Sequence, residues 1–454
     1  MFKFKLRITA LYLVLILIPS LGSSQNESYA VNPQLIQNLL LDERDFHTFD
    51  ENQARLGQLL FYDPILSGNR NISCGTCHHH NLNSSDGLSL GLGQGGAGIG
   101  MERKAQAKGT TIRRRMPRNS PALFNLGAKE IRLLFHDGRV SLDDYFDRGF
   151  NTPAEEFLPE GLNSLLAAQS LFPLVGGVEM AGNLADNEVA TAFEQRIDYG
   201  WPVIIDRIRN VPEYEEFFVS AFNDVDSFQD VSIVHVANAI GAFVGSEWQS
   251  FDSPFDDFIA GNEMALSDEA KKGMGIFFGK GNCSSCHSGK LFTDQNFHAL
   301  AIPPFGPGRT RPFDLIARDV GRMGETDLLQ DAYRFRTPSL RNVALSAPYG
   351  HNGAFRDLKG IIKHHLNPLE SLENWSQETP ILPDLNGAQD VDFIVWEDRF
   401  EIERLKRNID ILPVQLADQE ITYLVAFLES LTGKESISGR LGRPDNVPSG
   451  LTID

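Results

Sequence analysis

Cys74-Gly75-Thr76-Cys77-His78 and Cys283-Ser284-Ser285-Cys286-His287 are two copies of the pattern Cys-x-x-Cys-His. In that pattern the two thiols bond covalently to haem vinyl groups, and the adjacent histidine ligates iron from the proximal side. The chain holds four cysteines and the two motifs use all of them. A zinc ribbon wants paired Cys-x-x-Cys elements with no histidine after each, and a thioredoxin-like dithiol needs only one pair in a βαβ setting. Two complete copies favour two covalently bound c-type haems, ligated by His78 and His287. With no cysteine left over, disulfides cannot stabilise the fold.

Helices must carry these motifs. Ala54 to Tyr62 leads into the first with a helix-like apolar pattern. Ser267 can cap a helix through Ala270, Met274, Ile276 and Phe277 that leads into the second. Asp418 opens a further amphipathic segment with Ile421, Leu424, Val425, Phe427, Leu428 and Leu431, which Gly433 can end. No run of alternating strands stands out. The expected fold is mainly α, with two cytochrome c-like haem domains and long loops: an N-terminal domain over 31–262 and a C-terminal one over 263–436. Residues 437–454 read as a surface tail. Gly91 to Gly96 formally matches G-x-G-x-x-G, but no strand precedes it, so Gly87 to Gly100 reads as a loop beside the first haem.

Lys3, Lys5 and Arg7 precede an apolar run from Ile8 to Leu21 and then Gly22, Ser23 and Ser24. This is the layout of a secretory signal peptide over 1–24, cleaved after Ser24 or, as the alternative, after Ala30. Haem attachment to Cys-x-x-Cys-His takes place outside the bacterial cytoplasm, so export and motif agree on a periplasmic protein. The formal charge is -19, and loss of 1–24 makes it three units more negative. Such a surface argues against nucleic acid and suits a basic protein partner, although the same charge also serves solubility.

Several further stretches resemble the bacterial di-haem cytochrome c peroxidase family, including its MauG branch: Leu66-Ser67-Gly68-Asn69, Arg118 to Asn125, Phe135-His136-Asp137-Gly138-Arg139, Ser253 to Asp256, Phe335 to Asn342 and Ala347 to Gly353. The resemblance runs from about Leu56 to Gly433. It implies that peroxide meets the N-terminal haem while the C-terminal haem passes electrons. It also implies a distal pocket formed by Gln169, Pro173 and Glu179. A carboxyl there can move a proton between the two oxygens of a breaking peroxide bond; the bland alternative for Glu179 is a surface acid on a loop.

Two departures from the family pattern carry functional weight. The interval 81–118 contains no histidine, where many relatives place a ligand that blocks the first iron. His79 and His80 are too close to His78 to cross the haem, and Met101 and Met116 are ordinary loop methionines, so the first iron is expected to be open. At the second haem, the family's distal Met or Tyr corresponds to His365, beside His364. His365 shares a helix face with Leu358, Ile361 and Ile362, so His287/His365 coordination is expected, with a lowered reduction potential. His136 stands where a Trp is frequent between the haems. It can hydrogen-bond propionates or water but is a poor stepping stone for electrons. The resemblance also implies one Ca2+ at Asn119, Ser346 and Pro348, since hard oxygen donors suit that ion.

These readings make the chain a peroxidase that reduces hydrogen peroxide with electrons from a small donor protein, a cytochrome c or cupredoxin. One alternative is a MauG-like enzyme that oxidises a protein or organic substrate. Another is a non-enzymatic electron-transfer cytochrome. The resemblance also allows a homodimer.

Overall fold

The computed structural model describes residues 31, 36–105, 112, 114–311, 313–314, 316–385 and 391–454. The signal-peptide reading at 1–24 lies outside the described residues. Helix accounts for 41% of the structure, and strands are few. Helices of eight or more residues are α1 (Glu51–Tyr62), α2 (Leu165–Val175), α3 (Glu188–Gln195), α4 (Gly200–Arg209), α5 (Glu213–Ala221) and α6 (Ile233–Glu247) in the first half. The second half holds α7 (Asp268–Phe278), α8 (Leu358–Leu366), α9 (Arg399–Arg407) and α10 (Asp418–Glu429). The strands run two or three residues each: β1 (Gly96–Ala97) with β2 (Lys104–Ala105), β3 (Leu133–Leu134) with β4 (Val140–Leu142) and β5 (Phe150–Asn151), and β6 (Phe297–His298) with β7 (Phe335–Arg336). All pair antiparallel.

The helix that leads into each motif begins at a side-chain cap. Asp50 accepts from the N–H groups of Asn52 and Gln53 at 2.9 Å, which starts α1. Ser267 accepts from Ala270 N–H at 3.1 Å, which starts α7 as the sequence suggests. Each helix then crosses a partner at a glycine. A Cβ on Gly57 of α1 would collide with the Ala239 carbonyl of α6, and a Cβ on Gly273 of α7 with the Tyr423 carbonyl of α10. Backbone-to-backbone approach of this kind excludes any larger residue.

Two large apolar clusters form around these crossings. The first gathers Leu56, Leu60, Phe61 and Tyr62 against Ile240, Phe243 and Trp248, with Phe61 and Phe243 rings 5.2 Å apart. The second gathers Met274, Ile276 and Phe277 against Leu424, Phe427 and Leu428, with Phe277 and Phe427 rings also 5.2 Å apart. Full burial of each such side chain contributes about 1.5–3 kcal/mol. A smaller third cluster joins Ala301, Val320, Met323 and Tyr333 to Leu372 and Leu405.

Two local expectations are corrected. Helix α10 stops at Glu429, and Gly433 serves another purpose: its N–H donates to Asn342 Oδ1 at 2.8 Å, where a Cβ would strike Ser250. Residues 437–454 are no loose surface tail. Leu441 and Gly442 donate their N–H groups to the buried Glu247 carboxylate, Ser449 donates to Asp63 at 2.7 Å, and Val447 is buried in the first cluster. The segment ends on the first haem motif, where Thr76 Oγ1 donates to Asp454 Oδ2 at 2.6 Å. Polar anchors buried in the first half, spaced far from 437–454 in sequence, draw it inward.

Candidate functional site

Each Cys-x-x-Cys-His element is a single tight turn that holds its histidine by the Nδ1 edge. Cys74–Cys77 is a helical turn opened by Ser73, whose N–H donates to Thr76 Oγ1 at 3.1 Å. Gly75 lies so close to the Tyr62 ring that a Cβ would overlap it. His78 Nδ1–H donates to the Ser84 carbonyl at 3.1 Å, and His287 Nδ1–H donates to the Phe292 carbonyl at 3.0 Å. A carbonyl can only accept, so both rings keep Nε2 as the free lone pair a metal needs. Burial also lowers the proton affinity of both rings, His287 to about 4, so they stay neutral at neutral pH.

A cavity of about 660 Å³ opens beside the second motif. Cys283, Cys286, His287 and His365 line it, with Leu358, Ile361 and Ile362 of the same helix as His365. The His287 and His365 ring centres stand 6.4 Å apart. A metal–imidazole bond is about 2 Å, so two imidazoles on opposite sides of one metal have ring centres roughly 6 Å apart. His365 Nδ1–H donates to the Ile361 carbonyl at 2.9 Å, leaving its Nε2 free as well. The neighbouring His364 is not at the edge of the apolar face, as its spacing suggests, but fully buried (0%). Its Nε2–H donates to the Leu300 carbonyl at 2.8 Å, and His365, not His364, lines the cavity. This donor set and cavity fit a haem.

The first site is built differently. Gln169 and Pro173 lie one turn apart on α2, and Glu179 sits on the π-helical turn Gly177–Ala181 that follows. That turn is braced by the Leu66 to Asn69 stretch: Gly68 N–H donates to the Met180 carbonyl at 2.8 Å, and a Cβ there would hit the Ala181 carbonyl. From the other side the glycine-rich loop docks on it, with Gln94 N–H on the Val178 carbonyl at 3.1 Å. The buried Arg103 donates to the Leu92, Gly93 and Gly98 carbonyls and gives that loop its shape. Burial pushes the Glu179 carboxyl up, partly opposed by Arg139 and Arg309. Its turn packs on Gly68, six residues before Cys74, so the acid stands on an element that abuts the approach to the first motif. Met101 is 63% exposed and turns away from any iron.

Sequence reasoning missed the charged cluster between the two sites. Asp137, wholly buried, pairs with Arg118 at 2.6 Å, Arg139 at 3.1 Å and Arg309 at 3.1 Å, and Arg118 also forks onto Asp319 at 2.7 and 2.8 Å. Burial opposes the charge on Asp319, but Arg118 overrides it and holds that carboxyl down to about 2. Arg118, Asp137 and Arg139 lie within stretches that drew attention as family motifs. Arg309 and Asp319 come from a loop with no signal of its own. His136 donates from Nε2 to the Asn119 carbonyl at 3.1 Å. Burial, then Arg118, brings it to about 4, so it is neutral. Cationic guanidinium groups of this kind suit haem propionates.

Asn119, Ser346 and Pro348 all border the same cavity. The Asn119 amide donates from Nδ2 to the Leu88 carbonyl at 2.7 Å, which fixes the orientation of the amide. Ser346 Oγ donates back to the Val343 carbonyl at 3.1 Å. Cys286, Asp294 and His298 also cluster with ligand atoms within 4.8 Å. Cys286 belongs to the haem motif, however, and what remains is a His298–Asp294 pair at 2.9 Å.

Two Cys-x-x-Cys-His turns, each with its imidazole oriented for a metal, define a two-haem redox protein. The di-haem cytochrome c peroxidase family model matches residues 51–264. The chain is 30% identical to cytochrome c551 peroxidase of Pseudomonas aeruginosa over 387 residues, 85% of this chain and 80% of that protein. It is 27% identical to methylamine utilization protein MauG of Methylophilus methylotrophus over 367 residues, 80% and 86% of the two chains. The fold is shared with a MauG-like protein associated with microbial copper homeostasis, at TM-score 0.58 and 24% identity over 87% of this chain and 93% of that one. It is also shared with the diheme peroxidase BthA from Burkholderia thailandensis, at TM-score 0.55 and 21% identity over 89% and 91%. This chain belongs to the di-haem cytochrome c peroxidase family and is an oxidoreductase with two haem groups. Among the described residues, no helix is long and apolar enough to cross a membrane.

Proposed function

We propose that this chain is a periplasmic, c-type di-haem peroxidase that reduces hydrogen peroxide to two waters with electrons from a small redox protein. The observation that carries the reading is the contrast between sites: His287 faces a second imidazole at 6.4 Å, whereas the half-buried carboxyl Glu179 sits on a turn that packs against the stretch leading into the first motif. His78 and His287 each hold one haem, Cys74, Cys77, Cys283 and Cys286 tether them, and His365 completes the second. When bound, the haems supply the redox chemistry of peroxide reduction. Glu179 takes a proton from the near oxygen of peroxide and returns it to the leaving oxygen. Its raised proton affinity suits that exchange. Gln169 and Pro173 shape the space in which the peroxide lies. His136 and the arginines around Asp137 hold propionates. One Ca2+ is held by Asn119 Oδ1 and the Ser346 and Pro348 carbonyls. The two apolar clusters correspond to the N- and C-terminal cytochrome c-like domains.

The test mixes the fully oxidised protein with hydrogen peroxide and follows the Soret band by stopped flow. A rapid change with no prior reductant is expected, and it should be lost in Glu179→Gln. No change in the wild type would mean a blocked first iron. A response unaffected by Glu179→Gln would remove that residue from the mechanism, whereas no response even after partial reduction would leave an electron-transfer cytochrome as the better reading. A second reading, oxidation of a protein or organic substrate as its MauG relatives suggest, is favoured by His365. A bis-imidazole haem of low potential accepts electrons poorly from an ordinary cytochrome c. Steady peroxide turnover with reduced cytochrome c would count against it.

A further inference from the structure

Two of the chain's four tryptophans touch each other beside the second cavity. Trp375 and Trp396 have ring centres 4.8 Å apart at 61°. Trp375 is buried and stacks on Phe305 at 5.7 Å and 20°, and Phe305 lines the cavity that holds His287 and His365. Trp396 is only half-buried, and Val395 before it also lines the cavity. The series Phe305, Trp375, Trp396 therefore runs in ring contact from the wall of the cavity to a half-buried residue.

The two indoles differ in a way that gives the series a direction. Trp375 Nε1–H donates to the Ala354 carbonyl at 2.9 Å within the core, so an oxidised Trp375 keeps its proton and passes the vacancy on. Trp396 reaches solvent, which can receive a proton. A packing role alone would explain two tryptophans in a core. It would not require one of them to sit at the boundary while its partner abuts a cavity-lining ring.

We propose that Trp375 and Trp396 form an electron relay for the second haem, with Trp396 as the surface residue through which a one-electron donor, or an oxidisable substrate, exchanges electrons. This rests on the peroxidase reading above. Hydrogen peroxide is the oxidant: each peroxide takes up two electrons and two protons and yields two waters. The electrons leave the donor one at a time, through Trp396 and then Trp375. Without a donor, the haem groups supply one of the two electrons and Trp396 the other, releasing its Nε1 proton to water and leaving a neutral indolyl radical.

The holoprotein is mixed with peroxide in the absence of donor, freeze-quenched and examined by electron paramagnetic resonance, with peptide mass spectrometry for oxygen addition at Trp375 and Trp396. A tryptophan radical and oxidation centred on Trp396 are expected. Trp396→Phe should lose both and slow donor-supported turnover by roughly tenfold, while Trp396→Tyr, which restores an oxidisable ring, recovers most of the rate. Equal behaviour of the Phe and Tyr variants would assign the residue to packing and overturn the relay. An independent arm reduces both haems and flashes a dissolved ruthenium(II) sensitiser with a sacrificial electron acceptor, which generates the ruthenium(III) oxidant in the flash. Haem oxidation should be slower in Trp396→Phe whether or not peroxide reacts. A silent Soret band toward peroxide together with this flash difference would sink the peroxidase reading and keep the relay. A normal peroxide response with no flash difference would do the reverse.

Discussion

The two haem motifs are built on one plan and finished differently. In each half a capped helix crosses a partner at a glycine, Gly57 over Ala239 and Gly273 over Tyr423, and leads to a turn that fixes the histidine through a carbonyl on Nδ1. Beyond that turn the halves part. The second half places a helix, α8, so that His365 faces His287. The first places a π-helical turn carrying an acid, held between Gly68 and the glycine-rich loop. The scaffold that presents a metal ligand is thus separable from the wall that decides what else reaches the metal. A helix presents a fixed imidazole, and a glycine-braced turn presents a carboxyl.

The contrast breaks most severely at Glu179. On the proposed mechanism, Glu179→Gln lowers peroxide turnover by roughly 10²–10⁴-fold and leaves the spectrum of the second haem unaltered, measured by steady-state assay and absorption. The sign of its linkage is also defined. Burial raises the folded-state pKa above the unfolded value, so ionisation costs stability as pH rises through that range. The Gln variant should resist urea better than wild type at neutral pH, with the difference vanishing below the unfolded value. His365→Ala tests the other half. It should convert the second haem from low spin toward an open form that binds added imidazole, and the first site's peroxide response should persist.

A smaller effect concerns the charged bridge between the sites. Asp319 is depressed to about 2 in the folded protein, burial being overridden by Arg118. Its contribution, roughly 2 kcal/mol, is present above the unfolded carboxylate value near 3.8 and is lost as pH falls toward 2. Asp319→Asn should flatten that segment of the urea stability profile against pH. At the smallest end, Gly75→Ala pushes a methyl into Tyr62 and should cost about 1–3 kcal/mol, read as a lower thermal midpoint. Gly281, before the second motif, meets a side-chain methyl of Ile276 and the Ile276 carbonyl instead, and Gly281→Ala gives the matched comparison.

Much of this was legible before any coordinates. The helix over Leu358–Leu366 and the cap at Ser267 follow from spacings of three and four residues, because a helix repeats on that scale and local hydrogen bonds decide its ends. The same reasoning misjudged His364, since spacing says which face a side chain takes but not what lies against it. It also missed the grip of 437–454 on the first motif. Asp63 with Ser449 and Glu247 with Leu441 pair residues hundreds of positions apart, and no local pattern announces such partners.

What the amino-acid order determined by itself is therefore the covalent and the local: two haem attachment turns, their proximal histidines, the helices before them, and an interval of 81–118 without a histidine. The opposition of His365 to His287 was expected from the resemblance and from helix spacing, and the fold set its 6.4 Å distance; the tertiary structure alone decided the gathering of arginines on Asp137 and the ring contact of Trp375 with Trp396. Covalent chemistry and helix periodicity act over a few residues and leave a readable pattern. Opposition across a cavity depends on how whole helices pack, and packing is a property of surfaces that the linear order does not display.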